Sequence, residues 1–177
     1  MIQKIKKNIF QFHFKKFGSY VYLIRLDKKN VLIDTSSFEN IDELENDLNN
    51  LNLSPKEIDT IILTHNHPDH VGGMLLFIKF AKFYGSKKDF GDNIEDIKKL
   101  KIPELKIVET PGHSKGGICI LYKDVLFSGD TIFHGGLIGR IDLPGSSEKE
   151  MNQSLKKLKK INYKILCPGH GRLNCKV

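Results

Sequence analysis

Cysteine is scarce in this chain: Cys119, Cys167 and Cys175 make an odd count with no CxxC pair. That excludes a disulfide framework and a zinc knuckle and leaves the three thiols to packing. Long apolar runs are lacking too, since nothing approaches the roughly 20 residues a membrane-crossing helix needs. The segment MIQKIKKNIF has no apolar stretch followed by a small-residue cleavage site, so no signal peptide is read. No membrane partner and a cytoplasmic location are the expectations. Arginine is rare: of 28 basic residues only Arg25, Arg140 and Arg172 are arginines. The net charge of +7 therefore rests on lysine, dispersed in pairs such as Lys6-Lys7 and Lys159-Lys160. Scattered lysine reads as solvated surface, whereas a nucleic-acid groove wants clustered charge. Repeats and low-complexity linkers are absent as well, so residues 1–177 are expected to form one domain.

What is present begins with strand signals. Phe10, Phe12 and Phe14 alternate with Gln11 and His13, which predicts a strand over 9–14 with one apolar face. Segments 20–26 and 31–34 continue an antiparallel meander with one side buried. Ile41, Leu44 and Leu48 set a helical stripe over 38–50. Ser54-Pro55-Lys56-Glu57 is a capping box, and 58–63 is a buried strand that delivers the chain to Thr64-His65. A helix is expected from near Val71 to Gly85, with a second, short one around 93–99. Strands return at 105–109, 117–122 and 125–128, the last two joined by a Lys123-Asp124 hairpin. A helix over 146–160 is capped by Ser146 or Ser147, with Glu148 and Glu150 in its first turn, and a strand over 163–167 follows. This order suits a layered α/β domain.

Five of the seven histidines fall in three short segments, each directly after an expected strand. The first is THNHPDHVGG, from Thr64 to Gly73. On extended chain side chains repeat every second residue, so His65, His67 and Asp69 can face one way, while His70 reaches a neighbouring point. Two ligand pairs displaced by a few ångströms suit two metals. The second segment, TPGHSKGG, presents His113 from a Pro-Gly turn, and the third, CPGHG, presents His170 in the same manner. Between them, SGDTIF places Asp130 after a strand, where its two oxygens can bridge two cations. A lone histidine after a strand is ordinarily a cap or a surface residue. That reading suits His13 and leaves His134 open, but it does not explain histidines and acids gathered at three strand ends.

The pattern HxHxDH, then a downstream His, a GD and a PGH, resembles the metallo-β-lactamase superfamily, in its short glyoxalase II-like branch. The resemblance runs from the 32–35 strand end to Gly171. It implies a four-layer αββα sandwich: two mixed β-sheets flanked by helices. It further implies that one metal takes His65, His67 and His113, and that the other takes Asp69, His70 and His170. Asp130 would bridge the two ions, and Asp34 would orient a ligating histidine rather than ligate. Nitrogen and oxygen donors without thiolate suit two zinc ions per chain, with iron or manganese also open.

The implied enzyme is a hydrolase in which a hydroxide between two cations cleaves a thioester or related ester, with Asp69 and Asp130 as its catalytic carboxylates. Arg140, in the glyoxalase II-like stretch 129–147, is the candidate for binding a substrate carboxylate; its bland alternative is an ion pair with Asp142. Only seven residues follow His170, so the C-terminal helical domain of glyoxalase II is expected to be missing and glutathione dependence is left open. A mononuclear iron persulfide dioxygenase and a nuclease of the same fold are the alternatives. A small-molecule substrate is expected, nucleic acid is not favoured, and oligomeric state is left open.

Overall fold

The computed structural model describes residues 1–171; Arg172 and Cys175 lie outside them. The chain folds as two compact units, one ending at Tyr84 and the other starting at Gly85.

In the first unit six strands lie in sequence order. They are β1 (Ile2–Lys6), β2 (Ile9–Phe12), β3 (Val21–Arg25), β4 (Asn30–Ile33), β5 (Thr60–Ile62) and β6 (Lys82–Gly85). The first four pair antiparallel, while β4–β5 and β5–β6 are parallel, so the sheet is mixed. Helix α1 (Ile41–Asn50), preceded by one 3-10 turn, buries Leu44 and Leu48, the stripe expected from its spacing. The Ser54–Glu57 capping box is formed, with Glu57 accepting from the Ser54 backbone at 2.8 Å.

Two expectations fail in this unit. β2 is not buried on one face only: Ile9, Gln11 and Phe12 are all fully buried. Gln11 tolerates this because its amide donates to the Tyr22 hydroxyl at 3.2 Å, while Phe10 lies under the Arg25 guanidinium, 5.3 Å from the ring centre. The second failure is the helix over 71–85. There the chain forms only α2 (Pro68–Val71) and a 3-10 turn (Gly72–Leu76) before entering β6. The reason lies at Gly73, where a Cβ would stand 2.2 Å from the Thr35 carbonyl oxygen. Backbone packs on backbone there, and Phe83 and Tyr84 then gain a parallel register with Ile61 and Ile62. Phe77 is buried, whereas Leu75, Ile78 and Phe80 stay exposed.

The second unit opens with α3 (Lys87–Phe90), the two-residue strand β7 (Glu95–Asp96) and a 3-10 turn (Ile97–Lys99), where a short helix was expected. Asp96 accepts from the Lys98 backbone at 3.0 Å and caps that turn, which does not extend. Then come β8 (Leu105–Glu109), β9 (Ile118–Tyr122), β10 (Val125–Gly129), α4 (Glu148–Leu158) and β11 (Ile165–Pro168). The sheet order is β11-β10-β9-β8, with β10–β11 parallel and the other pairs antiparallel. Of the two candidate caps, Ser147 takes the role, accepting from the Glu150 backbone at 3.3 Å. Cys119 packs with Leu126, Leu158 and Leu166 in the core. Burial pushes its thiol up to about 11, so it is a neutral packing group.

Two mixed sheets with accompanying helices make this a mixed α/β fold, as the strand and helix signals imply. Among the described residues no helix is long and apolar enough to cross a membrane.

Candidate metal centre

The first unit carries four of the expected ligands on the segment between β5 and the 3-10 turn. His67 is the N-cap of α2, with Pro68 at the first helical position, so the chain bends sharply between His67 and His70. Neighbouring backbone fixes this bend. Ser19 donates its N–H to the Asp69 carbonyl at 2.8 Å, and Thr35 donates both its N–H (2.8 Å) and its hydroxyl (3.1 Å) to the His70 carbonyl. His65 and His70 are buried, with ring centres 4.0 Å apart. His65 Nε2 stands 3.1 Å from His67 Nδ1, and His70 Nε2 stands 3.9 Å from Asp69 Oδ2. Each of the pairs His65/His67, His65/His70 and Asp69/His70 brings its ligand atoms within 4.8 Å.

Asp34 sits at the end of β4, 2% exposed, in the left-handed region at φ 60° that aspartate tolerates better than most residues. Its Oδ1 accepts from the Thr64 N–H at 2.7 Å. Its Oδ2 accepts from the Thr64 hydroxyl and from His70 Nδ1, both at 2.8 Å. Since the Thr64 hydroxyl proton goes to Asp34, its oxygen accepts from His65 Nδ1, 3.0 Å away. One buried carboxylate thereby holds the protons of two imidazoles on Nδ1, directly for His70 and through Thr64 for His65. That leaves Nε2 of each ring unprotonated, the form in which an imidazole can ligate a cation. Thr64 has a larger part than its sequence suggested; its place one residue before His65 is the signal that was there to read.

The second unit carries the other three. His113 leaves the Pro-Gly turn after β8, and that turn is clamped by α4. Ser147 donates its N–H to the Gly112 carbonyl at 2.7 Å, and the Ser154 hydroxyl donates to the Pro111 carbonyl at 2.7 Å. From α3, the Asp89 carboxylate accepts from the Ser114 hydroxyl (2.7 Å) and the Gly116 N–H (2.6 Å), a contact no motif announced. Asp130 follows β10, and the His170 loop is joined to it where Gly169 donates to the Gly129 carbonyl at 2.8 Å. His113 Nδ1 donates to the Arg140 main-chain carbonyl at 2.7 Å, so here also Nε2 keeps its lone pair. Gly139 makes that approach feasible, because a Cβ there would stand 2.8 Å from His113 Nδ1 and 2.1 Å from the Asp130 carbonyl oxygen.

Within this unit a single carboxylate oxygen, Asp130 Oδ2, lies 3.5 Å from His113 Nε2 and 3.6 Å from His170 Nε2. Those separations exceed a hydrogen bond. They match the ligand-to-ligand edge of a tetrahedral shell, about 3.4 Å for bonds of about 2.1 Å. The donor set thus fits a cation in both its tautomers and its spacings. Cys167 is fully buried in β11.

Arg140 turns its side chain to Asp142, with Nε at 3.0 Å and Nη2 at 2.8 Å from the two carboxylate oxygens, both side chains about two-thirds exposed. The pair raises the arginine pKa and lowers that of the aspartate, first through the hydrogen bonds and then through charge. His134 stands in a turn just beyond Asp130, and partial burial lowers its pKa.

The sequence profile of the metallo-beta-lactamase superfamily matches residues 15–83 and 79–170. A probable metallo-hydrolase of Methanocaldococcus jannaschii is 41% identical over 145 residues, covering 80% of this chain and 71% of that protein. Hydroxyacylglutathione hydrolase 1 of Vibrio vulnificus is 36% identical over 155 residues, 82% of this chain and 59% of that protein. The chain therefore spans little more than half the length of that hydrolase. Among solved structures, the protein crystallised as TTHA1623 in a di-iron-bound form superposes with a TM-score of 0.75 at 26% identity, covering 87% of this chain and 88% of the other. Fold and site together define a metal-dependent hydrolase. The chain belongs to the metallo-β-lactamase superfamily.

Proposed function

We propose that the two units work as one catalytic domain in which His65, His67 and His113 hold one metal ion and Asp69, His70 and His170 a second. Asp130 is the bridging carboxylate, and the substrate is a thioester or related ester. The observation that carries this reading is the set of Nδ1 contacts, which puts the protons of three imidazoles on Nδ1 and leaves Nε2 unprotonated, the form in which histidine ligates a cation. When bound, the metals would lower the pKa of water to about 7 and polarise a carbonyl, which makes a separate serine or cysteine nucleophile unnecessary.

The chain's own groups do the rest. Asp130 and Asp69 bring negative charge to the cations, and Asp69, partly exposed, can orient the attacking water and take its proton. Asp34 and the Arg140 carbonyl hold the imidazoles in register. Arg140 would bind a substrate carboxylate by exchanging its partner Asp142, a cheap step for a pair so exposed. Zinc is the proposed metal, from the nitrogen and oxygen donors; the di-iron relative supports iron as the second choice.

The test is metal content of protein purified without added metal, followed by a screen of thioesters, lactones, persulfides and phosphodiesters. Two metals per chain with thioester turnover are expected. One iron per chain with oxygen uptake on a persulfide, or turnover of phosphodiesters alone, would overturn the reading in favour of a dioxygenase or a nuclease.

A further inference from the structure

We propose that a cavity in the second unit, between α4 and the chain that leaves Asp130, binds an organic anion with a short apolar body. The cavity encloses about 540 Å³, within the range of small-molecule sites. Leu155, Lys156, Leu158 and Lys159 line it from α4 and its C-cap, Ile132 from the segment past Asp130, and Tyr163 from the approach to β11. The apolar part of this lining is fixed. Ile132 and Tyr163 pack against the core cluster of Cys119, Leu126, Leu158 and Leu166, and the Ser128 hydroxyl donates to the Ile132 carbonyl at 2.7 Å. A cavity whose walls are already in place takes a ligand without first having to order itself.

The charge around it has one sign. None of its described lining residues is acidic. From Met151 to Gly171 the chain carries Lys156, Lys157, Lys159, Lys160 and Lys164 and no aspartate or glutamate. A helix C-terminus favours cations, which accounts for Lys156 and Lys157 in the last turn of α4 but not for Lys159, Lys160 and Lys164. Lys157 is otherwise engaged, since its ammonium donates to the Glu109 carbonyl at 2.6 Å. Lys156 and Lys159, which line the cavity, are exposed and have no ion pair among the described residues. Their field favours an anion and opposes a cation. Tyr163 adds a donor. Its hydroxyl has no hydrogen-bond partner among the described residues, and burial, then the nearby Cys119, raises its pKa, so the phenol keeps its proton. An apolar floor, two free ammonium groups and a phenolic O–H together suit a carboxylate or sulfonate carried on an alkyl or aryl body.

Octanoate is the probe, titrated into isotope-labelled protein and followed by backbone amide chemical shifts, a readout that needs no turnover. The shifts should concentrate at Ile132, Gly136, Leu155 and Tyr163 and fit one Kd. Octylamine, cationic at neutral pH, should bind about tenfold more weakly or not at all, with octanol in between. Lys156→Glu combined with Lys159→Glu should weaken octanoate by about tenfold, because each exposed ion pair is worth up to about fivefold and reversal adds repulsion. Lys160→Glu, outside the lining, should change the Kd by less than about twofold. Shifts absent from those amides, or gathered instead at exposed apolar residues elsewhere such as Leu75 and Phe80, overturn the site. Octylamine binding as tightly as octanoate overturns it too, as does an unchanged Kd in the folded double variant. None of these results bears on the hydrolase reading, since no residue lining the cavity is a proposed metal ligand.

Discussion

Replacing Asp34 by asparagine exchanges one acceptor oxygen for an NH2 group inside a site that offers only donors. The carboxylate accepts three hydrogen bonds, from the Thr64 N–H, the Thr64 hydroxyl and His70 Nδ1, at 2.7 to 2.8 Å and 2% exposure. Asparagine can keep its oxygen on the Thr64 N–H, but its NH2 then faces the other two. The least costly escape is for His70 to move its proton from Nδ1 to Nε2 and accept from the new amide. That proton occupies the position meant for the metal. The Thr64 hydroxyl, with its acceptor gone, turns its proton towards His65 Nδ1, and a second imidazole changes tautomer.

The fold loses about 1–2 kcal/mol in Asp34→Asn, the cost of one imperfect contact, whereas Asp34→Ala strands three donors at about 1–3 kcal/mol each. Metal affinity in Asp34→Asn should fall by about 10- to 100-fold, the usual effect of removing the partner that orients a ligating histidine. Competition against a chromogenic chelator measures the affinity, and urea unfolding of the metal-free protein measures the stability. Wild-type affinity and stoichiometry in a folded Asp34→Asn protein would refute the tautomer argument outright.

Other substitutions test neighbouring parts of the argument. His113→Ala and Asp130→Asn should each abolish thioester hydrolysis with the far-ultraviolet circular dichroism spectrum unchanged; full turnover at wild-type metal content in either would count against the ligand set. Gly139→Ala drives a methyl group to 2.1 Å from the Asp130 carbonyl oxygen, and overpacking of this kind costs about 1–3 kcal/mol, visible as a lowered urea midpoint and reduced metal content. Arg140→Ala should raise KM for substrates that carry a carboxylate and leave it unchanged for uncharged ones. The buried thiol of Cys119, held at about 11, binds its proton more tightly folded than unfolded, where a thiol titrates near 9. Its contribution to stability is whole below about pH 9 and is lost as pH rises through about 11, amounting to roughly 1 kcal/mol by pH 10. Cys119→Val should therefore show a shallower fall in urea midpoint between pH 8 and pH 10 than the wild type.

The residues proposed as ligands stand out in the sequence because their spacing is local: HxHxDH is six consecutive positions, and His113, Asp130 and His170 each follow a strand with a turn residue beside them. Strands whose apolar residues pack on both sides, such as β9 and β10, were equally plain. The failures came where long-range partners decide the outcome. A helix was expected over 71–85, yet backbone contact at Gly73 and the register of β6 against β5 prevent it. Gln11 reads as a solvent-facing residue until Tyr22, from the neighbouring strand, supplies its hydrogen bond.

The Nδ1 side of the His113 imidazole is held by a peptide oxygen, the Arg140 carbonyl. Any residue at position 140 supplies that same oxygen, so exchanging the side chain there leaves this contact to His113 in place. Were Arg140 to bind substrate as proposed, selection for a new substrate and selection for a loaded centre would act on different atoms of one residue. Drift in what the enzyme recognises need not disarm it.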